Sequence, residues 1–149
     1  MPAVPKHELL QTEIGGKTLQ EWDLQWKPLR TAFSAPQPDL RYVVGLFRVR
    51  HNGAVKYIAR ATEPVGGLAK GLARIRGPAQ TGNAGYGAKM IQKHLAGVSV
   101  DVLKAGEGVK ASENTKELKK AMIKFYDPEW TWPFQRRMKA IQSGELPAD

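Results

Sequence analysis

Between residues 42 and 61, two strand-like segments flank a turn-forming dipeptide, and the second half of the first alternates apolar and polar positions. Tyr42 to Arg50 predicts a first strand, with Leu46 inward between Gly45 and Phe47, and Arg48 and Arg50 alternating with Val49. His51-Asn52-Gly53-Ala54 predicts a tight hairpin, because Asn-Gly tolerates the positive φ of a type I′ turn. Val55 to Ala61 is the second strand. After Pro64 and Gly66-Gly67 the period changes, and Leu68, Leu72 and Ile75 form one stripe of a helix over 68–75. Gly77-Pro78 ends it. A Gly-rich loop over 77–87 leads to a second helix, Ala88 to Leu95, with Met90, Ile91 and Leu95 as its apolar positions. Val98 to Leu103 alternates cleanly and predicts a third strand. After a loop over 104–112, Ser112 or Asn114 is the expected cap of a helix carrying Leu118, Met122, Ile123 and Phe125, which Asp127-Pro128 stops. Pro133 to Ser143 predicts a last, basic helix, with Pro in its first turn and Gly144 beyond its end.

The order β-β-α-α-β-α predicts an α/β chain of α+β layout, a small three-stranded, mostly antiparallel sheet flanked by helices. Three regions are expected: an N-terminal extension over 1–38, a domain over 39–132 and a basic C-terminal helix and tail over 133–149. In the extension, Thr18 to Leu24 reads as a short strand or a helical turn, and Ser34-Ala35-Pro36-Gln37-Pro38 as an irregular linker.

Composition narrows the function classes. The 149 residues carry a formal charge of +9, which attracts polyanions, nucleic acid first among them. The chain has no cysteine, which excludes disulfides, thiolate metal sites and a thiol nucleophile. Its first residues lack the apolar core of a signal peptide and no apolar run approaches membrane-spanning length, so a soluble cytoplasmic protein is expected. His7, His51 and His94 have no metal-ligand spacing, and the Gly-rich loop matches no phosphate-binding fingerprint.

Gly45-Leu46-Phe47 and Tyr57-Ile58-Ala59 resemble the two signature strands of the GIY-YIG nuclease family, G-[IVL]-Y and Y-[IV]-G. Three further points are similar to that family: Arg60-Ala61-Thr62 after the strands, Gly67-Leu68 opening a helix, and the strand from Val98 to Leu103. The closing Leu118-x-x-x-Met122-Ile123-x-x-Tyr126-x-Pro128-x-Trp130 is similar to the family's acidic-helix ending. The resemblance covers about residues 41 to 132.

It implies a one-metal phosphodiesterase site, and the chain departs from it where chemistry is needed. The tyrosine of the first strand falls on Phe47, which lacks the hydroxyl, whereas that of the second is kept as Tyr57. The phosphate-stabilising arginine falls on Gly71, and the metal-binding glutamate on Lys119, whose charge repels a cation. The nearest acid, Glu117, is rotated about 200° around the helix, and Glu113 lies farther up the chain.

The resemblance therefore implies a non-catalytic binder of nucleic acid, DNA in particular, with no metal. Its expected contacts are Arg48, Tyr57, Arg60, Lys70, Arg74, Arg76 and Lys119, within a wider basic set that includes Arg50, Lys56, Lys89 and Lys93. Two alternatives stay open. One is a Mg²⁺-dependent endonuclease with Glu117 or Glu113 as a relocated acid and Tyr57 as the activating group. The other is an interaction, inhibitor or assembly subunit whose Trp130, Trp132, Arg136 and Arg137 meet a protein partner, with Trp22 and Trp26 open to the same reading.

Overall fold

The computed structural model describes residues 5–76 and 85–147. A small N-terminal layer comes first: α1 (Lys6–Leu10), a hairpin of β1 (Glu13–Ile14) and β2 (Lys17–Thr18), α2 (Leu19–Asp23) and β3 (Lys27–Pro28). Thr18 caps α2 in a capping box with Glu21, so the ambiguous Thr18–Leu24 stretch begins as strand and continues as helix. The main hairpin is β4 (Val44–His51) with β5 (Ala54–Ala61), and at its turn Asn52 and Gly53 have φ of 55° and 78°, as the dipeptide predicts. Then come α3 (Gly67–Arg76), α4 (Tyr86–Lys93), β6 (Val98–Gly106), α5 (Gly108–Tyr126) and α6 (Phe134–Gln142).

The main sheet has four strands rather than three, in the order β3-β6-β4-β5, all antiparallel. The fourth comes from the N-terminal region: Lys27 and Pro28 lie opposite Val102 and Asp101, and the Leu29 N–H donates to the Val100 carbonyl at 2.9 Å. A two-residue strand containing Pro gives no pattern to read, and an edge is the place in a sheet that tolerates a missing N–H.

Helices cover both faces of this sheet. On one, α3 and α4 enclose Phe47, Val49, Ala61, Leu72, Ile91 and Val102 together with Trp130. On the other, α5 and the N-terminal layer enclose Leu46, Ile58, Leu103, Leu118 and Met122 together with Trp22 and Trp26. β4 therefore has no solvent face over its first half, and Leu46 and Phe47 are both buried, which the expected one-sided alternation does not anticipate.

The closing helix also starts earlier than the cap signal suggests. α5 begins at Gly108, directly after β6, which continues three residues past Leu103. Ser112 and Asn114 thus lie inside the helix, where Ser112 Oγ donates to the Thr62 carbonyl. The far end is where Asp127-Pro128 places it: Asp127 is a left-handed C-cap with φ of 48°. No helix among the described residues is long and apolar enough to cross a membrane.

Candidate nucleic-acid interface

The signature positions form a filled contact instead of a cleft. Phe47 and Tyr57 project from adjacent strands toward α3 and α4, with ring centroids 6.0 Å apart. A Cβ on Gly71 would lie 2.8 Å from the Ala61 Cβ and 3.5 Å from the Phe47 ring. α3 thus approaches the sheet at Gly71 as closely as a glycine permits, and an arginine there has no room. A Cβ on Gly87 would lie 2.2 Å from Tyr57 Cε1, so α4 packs closely on the second tyrosine. Burial pushes the Tyr57 phenol above the ordinary tyrosine range. Tyr57, expected at a nucleic-acid surface, packs one ring edge against α4 and stays partly exposed.

Several expected cationic contacts are turned inward or paired. Arg48 donates from Nε to Asp101 Oδ2 at 2.8 Å and from NH1 to the Tyr126 hydroxyl at 3.1 Å, and its guanidinium lies 4.4 Å from the Trp26 ring centroid. Its side chain is 15% exposed, so its charge serves the interior rather than a bound polyanion. Arg50 shares Asp101 through Nε at 2.9 Å. Lys70 Nζ lies 2.6 Å from Glu63 Oε2 and Arg74 pairs with the other Glu63 oxygen, which holds that carboxyl below the usual range. Lys56 pairs with Glu129. Arg76 ends α3, and its side chain lies outside the described residues, as do residues 77–84 of the Gly-rich loop.

Arg60 and Lys119 behave differently. Arg60 lies on the α5 face of β5, two residues beyond buried Ile58, and β5 is an edge strand. Lys119 is on the facing side of α5, and the two line one open hollow with Lys116, Lys120 and Lys124. Burial, and then the charge of Arg60, hold Lys119 below the usual lysine range. Arg60, Lys116, Lys119 and Lys124 make no ion pair with another described residue, while Lys120 has Glu117 at 3.7 Å. Lys116, Lys120 and Lys124 stand at i, i+4 and i+8, a ridge about 12 Å long. Like charges at that spacing cost a helix about 0.2–0.5 kcal/mol per pair.

The ridge was legible in the sequence as a four-residue lysine period, but no family position pointed to it. By contrast, nothing local in the sequence signals Asp101 as the buried acid between two arginines, because its partners are about fifty residues away.

Two further expectations meet the geometry here. Glu117 lines the hollow on the α5 side, and Tyr57 packs against α4 on the other face of the sheet, so the two groups of the relocated-acid site lie on opposite faces. Glu113 is exposed on the same helix. Among the described residues, no group of three potential ligands is placed to hold a metal ion.

Trp130 and Trp132 both make contacts within the fold, whereas Phe134 is exposed. Trp130 is buried and stacks on the His94 ring at 5.6 Å, with His51 at the same distance. Trp132 donates from its indole to Asp127 Oδ1 at 3.0 Å, and Arg136 grips both Asp127 oxygens at 2.6 and 2.7 Å while lying over the Trp132 ring. Arg137 lies 3.9 Å over the Tyr86 ring. All four residues expected to meet a protein partner are engaged within the fold, as are Trp22 and Trp26 in the second core. Compared with protein-family models, curated proteins and solved structures, the chain matches none.

Proposed function

We propose that this protein binds nucleic acid, DNA in particular, without cleaving it, through the hollow between β5 and α5. The observation that carries this reading is Arg60 beside a half-buried Lys119, neither of them ion-paired with another described residue. Like charges at close range cost stability, and phosphate oxygens are the partners that relieve the cost. Lys116 and Lys124 extend the same positive surface along the helix, so a phosphate chain bridges several cations at once. The resemblance to the GIY-YIG domain belongs to this proposal. On that reading the ancestral cleft is narrowed where α3 and α4 pack onto Phe47, Ala61 and Tyr57 at Gly71 and Gly87, and affinity rests on the side of the closing helix that faces β5. Lys119, at the ancestral metal position, contacts phosphate directly.

Incubation of the protein with labelled duplex and branched DNA, in Mg²⁺, Mn²⁺ or EDTA, tests this by scoring mobility shift and cleavage together. The expected result is a shift that survives EDTA, no cutting, and a log-log salt slope of about −3 to −4 for four neutralised phosphates. Lys119→Gln with Arg60→Gln should flatten that slope by about 2. Metal-dependent cutting, or binding indifferent to the double substitution, overturns the proposal.

A further inference from the structure

A second hollow, of about 430 Å³, lies at the opposite edge of the sheet, where short β3 ends and β6 continues past it. Its volume falls in the range of small-molecule sites. Its floor is apolar, made by Phe33 and Ala32 from the loop after β3 and by Val98 and Val100 from β6. Arg30, Arg50, Ser34 and Ser99 complete the lining, so every charged group that lines it is a guanidinium and its other side-chain polar groups are hydroxyls.

Both walls are braced. Arg50 is held by Asp101 through Nε at 2.9 Å and NH2 at 3.3 Å, yet stays 38% exposed. The loop is tied across itself: the Gln37 side-chain amide donates to the Thr31 carbonyl, the Thr31 hydroxyl and the Ala35 carbonyl at 2.9–3.2 Å. The Ala32 and Ser34 N–H groups close turns onto Leu29 and Thr31. Arg30 makes no ion pair with another described residue. A site formed in advance loses less ordering entropy on binding, and a hollow whose apolar residues lie on one face of β6 with guanidiniums at its rim selects an apolar body carrying one anionic group.

We infer that this hollow is a binding site for a small organic anion with an apolar body, of the aryl or alkyl carboxylate, sulfonate or phosphate class. The site is separate from the lysine ridge and independent of the nucleic-acid reading. The test uses 1-anilinonaphthalene-8-sulfonate on the full chain, followed by fluorescence. One saturable site is expected, and the uncharged N-phenyl-1-naphthylamine should bind at least about tenfold more weakly, as loss of a charge-assisted hydrogen bond predicts. Arg30→Ala should weaken the sulfonate about tenfold, and Ser34→Glu should place a repelling carboxylate in the lining and weaken it further. Both positions are exposed, and circular dichroism checks that the fold is kept. Lys119→Gln should leave binding unchanged, and duplex DNA should not displace the dye. Equal affinity for the two dyes, indifference to both substitutions, displacement by DNA, or no saturable binding each overturns the inference.

Discussion

At the scale of single residues, Lys119 and Tyr126 show how differently two polar groups on one helix are treated. Lys119 has its proton affinity lowered by burial and by Arg60, so the unfolded chain binds that proton more tightly than the folded one. Stability is therefore expected to rise with pH as Lys119 deprotonates below its usual range, and to gain nothing further above it. Lys119→Gln should stabilise the protein at pH 7 by about 0.3 kcal/mol, a small effect because solvent screens a half-exposed group. Urea midpoints at pH 7 and pH 10, converging at the higher pH, check this; a loss of stability in the variant contradicts it. Tyr126 is the reverse case. Burial and a 2.6 Å hydrogen bond donated to Asp23 Oδ1 push its phenol up to about 12, so its contribution is full below the ordinary value near 10 and is lost as pH rises through 12. Tyr126→Phe removes that donor and the acceptor used by Arg48, and should cost about 1 kcal/mol in urea unfolding.

At the scale of elements, the contact of α3 with the β4–β5 hairpin explains why a residue that looks like a lost catalytic group is a structural one. Gly71 sits where a Cβ would meet the Ala61 Cβ at 2.8 Å, and the resemblance alone reads the same glycine as an erased arginine. Alanine at 71 gains about 1 kcal/mol of helix propensity, but overpacking a filled contact costs about 1–3 kcal/mol, so Gly71→Ala should be destabilising overall. Gly71→Arg should unfold the protein or drive α3 off the sheet, and should not restore cleavage. Thermal melting of both variants, with a nuclease assay on whichever folds, measures it. A stable, metal-dependent nuclease from Gly71→Arg would mean that the glycine did replace a functional arginine.

At the scale of the whole molecule, the N-terminal region is part of the core rather than an appendage to it. It supplies β3, and it buries Leu19, Trp22 and Trp26 against α5. It also closes a chain of polar contacts: the Trp26 indole and the Tyr126 hydroxyl both donate to Asp23 Oδ1, and Arg48 links Tyr126 to Asp101. Loss of one buried Trp costs about 3–5 kcal/mol, and whole domains have only about 5–15 kcal/mol of stability. A fragment of residues 39–132 is therefore expected to lack a cooperative thermal transition in circular dichroism, whereas residues 5–147 should retain one. A cooperative melt from the short fragment would separate the two regions after all.

The hairpin at Asn52-Gly53, the helices after it, the alternating strand at Val98 and the stop at Asp127-Pro128 are written locally, in turn chemistry, period and capping, and so they can be read from the chain alone. So can the excess of positive charge and the lysine period of α5. Which charges face solvent is a different kind of fact. Arg48 and Arg60 stand on the same face of neighbouring strands, but one meets Asp101 and Tyr126 in the interior and the other stands at an open edge beside Lys119. Strand order and the packing of distant segments decide between them, as they decide that Pro28 completes a sheet and that Gly87 packs on Tyr57. Local sequence sets the elements because their hydrogen bonds close within a few residues; the site depends on contacts between residues far apart in the chain, and those exist only in the folded molecule.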